Sequence, residues 1–113
     1  MEKFFKEMDV AVTVCGADGE ILDMNEKSRK TFLKPEREEL IGQNVLDCHP
    51  EPARSKLADM LKNPRNNAYT IEKNGIRKLI FQTPWYEDGR FGGFIELSME
   101  IPAEMPHFVR KPQ

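Results

Sequence analysis

The sequence has no long apolar run, almost no cysteine and no marked excess of either charge. No stretch approaches the ~20 apolar residues that cross a bilayer. The opening Met1-Glu2-Lys3-Phe4-Phe5-Lys6-Glu7 lacks the apolar region of a secretory signal. Only two cysteines occur, Cys15 and Cys48, and without such a signal they fit a reducing cytoplasm rather than a disulfide framework. With 17 basic and 19 acidic residues interleaved and a net charge of -2, there is no broad field to gather nucleic acid. Cys15, Cys48, His49 and the distant His107 have no zinc-like spacing, so no metal site is expected. No glycine-rich loop of the kind that cradles phosphate is present, and no repeat or low-complexity segment. What is there, 113 residues with 39% hydrophobic, suits one domain able to bury most of its apolar surface unaided.

Three pairs, Asp18-Gly19, Asn74-Gly75 and Asp88-Gly89, mark tight hairpins, because each supplies residues tolerant of positive φ. Period-two alternation on either side predicts five strands, over 10–15, 20–24, 67–74, 76–86 and 91–101. In the first, Val10, Val12 and Val14 share a face. In the two longest, Leu79, Phe81, Trp85, Ile95, Leu97 and Met99 form the apolar set, expected to face the helices and build the core. Asn25 is a good N-cap for a helix through about Leu33, ended by Lys34-Pro35, and Glu36 to Ile41 can add a turn before Gly42. A second helix runs from about Glu51 to Lys62, with Ala53, Leu57, Met60 and Leu61 on one stripe and Glu51 at its positive end. A short helix from Glu2 to Met8 opens the chain. Pro102, Pro106 and Pro112 prevent the tail from forming one continuous helix. The expected organisation is an N-terminal helical cap over 1–9, one domain over 10–101 and a proline-containing tail over 102–113. Its class is α+β, a five-stranded antiparallel sheet with short helices on one face.

The order of these elements resembles the PAS domain. Val14-Cys-Gly-Ala-Asp18-Gly19-Glu-Ile21 looks like the first PAS hairpin, ending at Asn25, where the family usually carries Asn. Glu39-Leu-Ile-Gly42-Gln-Asn44-Val resembles the stretch between its middle helices, and Phe91-Gly-Gly93-Phe-Ile-Glu-Leu its last strand. Asp47-Cys48-His49-Pro50 is similar to the Asn-Cys-His-Pro found before the long helix in a prokaryotic subgroup. The resemblance implies a sensory or protein-interaction module whose core is solid in some members and holds a small molecule in others. Candidates to line such a pocket are Cys48, His49, Met60, Tyr69, Phe81, Trp85, Ile95 and Leu97. The family often dimerises through an opening helix, which points to Phe4, Phe5 and Met8. No cofactor is the leading expectation. The alternative is a haem or small apolar ligand sensor using His49, since haem-binding relatives take their ligand from this region. A flavin is not expected: the light-sensing subgroup carries Gly-x-Asn-Cys, whereas here Gly42-Gln43-Asn44 is followed by Val45. Catalysis by Cys48 with His49 is not expected either, because neighbours in an extended stretch point apart. The whole reads as a non-catalytic homodimer with a signalling-protein partner, without nucleic acid or membrane.

Overall fold

The computed structural model describes residues 1–32 and 39–113. Its elements are α1 (Lys3–Lys6), β1 (Ala11–Gly16), β2 (Ile21–Met24), α2 (Glu26–Phe32), a 3-10 turn (Val45–Cys48), α3 (Ala53–Lys62), β3 (Asn67–Lys73), β4 (Ile76–Glu87) and β5 (Arg90–Ile101). All five strands stand within about two residues of the positions that the alternation and turn signals predict. They form one antiparallel sheet in the order β2-β1-β5-β4-β3, so the last strand sits at the centre. Asn74 and Asp88 take positive φ at their turns, as Asn and Asp can. Among the described residues no helix is long and apolar enough to cross a membrane.

The helices differ more from expectation. The opening helix is a single turn rather than Glu2 to Met8. The turn expected over Glu36 to Ile41 lies partly outside the described residues, and Glu39–Ile41 are not helical. Asn25 does cap α2, accepting from the Ser28 amide at 3.0 Å, and it is held further by bonds reaching β1 and α1. Glu51 accepts from the Ser55 amide at 2.7 Å, serving the positive end of α3 as its position suggested.

The core inverts one expectation. Leu57 and Met60 of α3 pack with Cys15, Ile21, Met24, Leu40, Val45 and Phe94. Leu79, Phe81, Trp85, Ile95, Leu97 and Met99 do not belong to that cluster, and all are only half-buried. The register explains this. Thr13 pairs with Glu96 and Cys15 with Phe94, while Glu96 pairs with Gln82 and Ser98 with Ile80. These residues therefore share the inner face, and the bulky apolar set, with Val12 and Val14, occupies the outer one. Where the inner residue is small, a helix approaches closely: the buried hydroxyls of Thr13 and Ser28 are hydrogen-bonded between β1 and α2.

Candidate functional site

Between the inner face and the helices lies a cavity of about 20 Å³ lined by twelve residues, among them Cys15, Cys48, His49, Gln82, Phe94 and Glu96. That space holds roughly one water, for which about 10–15 Å³ suffices. Its polar wall is a chain of side chains crossing three strands. Asn67 Nδ2 on β3 donates to Gln82 Oε1 at 3.1 Å, and Gln82 Nε2 on β4 donates to Glu96 Oε1 at 2.7 Å. His49, just after the 3-10 turn, places Nε2 at 3.0 Å from the same Glu96 oxygen and Nδ1 at 2.8 Å from the Val45 carbonyl. The His49 and Glu96 side chains are only 11% and 12% exposed.

Burial alone would pull the His49 pKa down. The hydrogen bond and the charge of Glu96, with the Val45 carbonyl, outweigh it and hold the group above its ordinary 6.5. Burial first, and then the charge of Glu96, push the Tyr69 hydroxyl up to about 12. Burial likewise raises the Cys15 thiol, with Glu96 adding to it. Both therefore remain neutral through the range in which a histidine titrates.

A tripartite segment brings His49 here. Asn44 caps the 3-10 turn by accepting from the Leu46 amide at 3.0 Å, and its own amide donates to Asp18 in the first hairpin at 3.1 Å. Val45 is buried in the core, and His49 follows in extended conformation, which Pro50 favours.

A sequence profile for the PAS fold matches residues 5–63, more than half of the chain. The chain belongs to the PAS family. Solved PAS domains share its architecture. That of a Colwellia psychrerythraea protein is 22% identical, with a TM-score of 0.64 over 88% of this chain and 92% of that one. The PAS domain of the histidine kinase ThkA is 20% identical, with a TM-score of 0.64 over 81% and 99%. That of Bordetella pertussis BvgS is 13% identical, with a TM-score of 0.65 over 88% and 82%. No curated protein matches the sequence. PAS domains are typically sensory modules of signalling proteins.

Of the residues expected at a PAS pocket, Cys48 and His49 line the cavity. Met60 is wholly buried in the adjoining core, and Tyr69 is half-buried on the inner face of β3, paired with Ile80. Phe81, Trp85, Ile95 and Leu97 are not there; the register turns them to the outer face. Trp85 instead donates its indole N–H to the Cys15 carbonyl at 3.0 Å. Sequence reasoning missed Gln82 and Glu96, because polar positions alternating with apolar ones read as a solvated face. The available signal was their pairing across the last hairpin, which the Asp88-Gly89 turn fixes. These residues do not fit haem. Both ring nitrogens of His49 are already hydrogen-bonded, and the cavity is far smaller than a macrocycle.

Proposed function

We propose that this PAS domain is a non-catalytic sensory and interaction module, acting in the cytoplasm as a homodimer. Input enters at the cavity around His49, and output leaves through the outer face of the sheet to a signalling partner. One observation carries this reading. Leu79, Phe81, Ile95, Leu97 and Met99 form an apolar tract outside the core cluster, while Phe4 and Phe5 on α1 stand 76% and 47% exposed. A half-buried apolar tract, together with exposed Phe4 and Phe5, supports a protein partner, and a second copy supplies a matching surface. Met8 is half-buried beside the same N-terminal segment. The size of the cavity favours a very small ligand over haem or flavin.

Sedimentation velocity tests the reading. The parent chain should sediment as a dimer, and Phe81→Glu or removal of residues 1–8 should give a folded monomer. A parent that stays monomeric at high concentration overturns it.

A further inference from the structure

The two contacts of His49 impose a condition on its protons. Nδ1 faces the Val45 carbonyl at 2.8 Å, and a carbonyl oxygen can only accept. Nε2 faces Glu96 Oε1 at 3.0 Å, an oxygen that already accepts from Gln82 at 2.7 Å. A neutral imidazole has one N–H. If it serves Val45, the other nitrogen presents a lone pair to the carboxylate. If it serves Glu96, the lone pair meets the carbonyl. Both contacts are satisfied only when the ring carries two protons, or when the carboxyl group itself supplies the one between Nε2 and Oε1. In either case the pair holds one proton beyond that of a neutral imidazole and an ionised carboxylate.

We propose that the His49–Glu96 contact is a proton-operated latch: one bound proton ties the 45–50 segment to the central strand β5, and its loss loosens that segment from the sheet. On release the proton passes to solvent, which reaches both side chains at their residual exposure. The ligand of this site is then the proton itself, held in the hydrogen bond between Nε2 and Oε1.

Among the described residues, groups from four strands and from its own segment face the pair. From β5 comes Glu96 itself; from β4, the neutral amide of Gln82; from β3, Tyr69; from β1, Thr13 and Cys15. On its own segment, Cys48 lines the same cavity, and Asp47 lies outward, 3.6 Å from Arg54. Tyr69 and Cys15 are held neutral, as described above. Because the folded His49 stays protonated above its ordinary value, the latch contributes fully below about pH 6.5 and weakens as pH rises through the folded pKa. The latch itself does not depend on dimer formation. It rests on the proposed input site only for its meaning in signalling, and titration tests it separately from the sedimentation experiment.

The chain has two histidines, His49 and His107, so the His49 signals are assigned by their loss in His49→Gln. In an NMR titration of the full chain, the His49 Cε1–H should shift with a midpoint above the 6.5 of an ordinary histidine. Glu96→Gln should move the His49 midpoint below that of the parent. Amide hydrogen exchange across 45–57, corrected for the intrinsic pH effect, should accelerate several-fold above the midpoint. A His49 midpoint at or below 6.5, or one unmoved by Glu96→Gln, overturns the latch. Should Glu96→Gln fail to fold, urea melts of the parent and His49→Gln between pH 6 and 9 decide. The parent should lose stability with rising pH more steeply than His49→Gln, and parallel curves overturn the proposal.

Discussion

Asn25 shows how much one side chain can hold together. It is 1% exposed, its Oδ1 accepts from the amides of Val12 and Ser28, and its Nδ2 donates to the carbonyls of Phe5 and Val10. It thereby joins α1, β1 and α2. Asn25→Ala strips a helix cap and strands buried backbone donors, so urea melts should show a loss of about 2–4 kcal/mol. Gly93 is constrained differently. Its φ is +151°, and an added Cβ would lie 1.9 Å from the Cys15 carbonyl oxygen, across the pairing of β1 and β5. Gly93→Ala should destabilise the fold by about 3 kcal/mol, because backbone of the central strand must shift. A melt coinciding with that of the parent would contradict this geometry. His49 and Glu96 belong to the same scale: His49 stands out in the sequence and Glu96 does not, and only their distance makes them a pair.

At the scale of elements, α3 and β5 divide the energetics between the two faces of the sheet. Met60 on α3 is wholly buried, so Met60→Ala should cost about 2–5 kcal/mol in the monomer. Leu97, with its outward position on β5, was the obvious core candidate by alternation. Because it lies outside the core cluster and is only half-buried, Leu97→Ala should cost about 1 kcal/mol of monomer stability and act mainly on dimer dissociation. Equal losses in denaturant melts of the two monomeric variants would return Leu97 to the core. The strands were legible because the three turn pairs and the period of two fix where each begins. The helices were less so. The single turn of α1 lacks the length to stabilise itself, and the 3-10 turn at Val45–Cys48 has no apolar periodicity to announce it.

Across the whole molecule, one sheet carries two faces of opposite character. The inner one mixes apolar residues such as Phe94 with polar ones such as Gln82 and Glu96, and helices cover it. The outer one is bulky, apolar and half-buried, and it is the surface proposed above to meet a second copy. A dimer formed there should not be weakened by 1 M salt, since apolar burial rather than ion pairing would hold it. Dissociation on adding salt in sedimentation experiments would point to the charged residues instead. The sequence by itself determined the strand positions, the hairpins, the cap at Asn25 and the PAS resemblance, because each depends on residues close together in the chain. Which side of the sheet the helices cover is set by packing across the chain. Alternation states that two faces differ, and a helix packing from either side is compatible with the same local pattern. That packing placed Glu96 and Gln82 inside and Phe81 and Leu97 outside. It also brought His49 to a carboxylate 47 positions away in the chain, a proximity that no local spacing encodes.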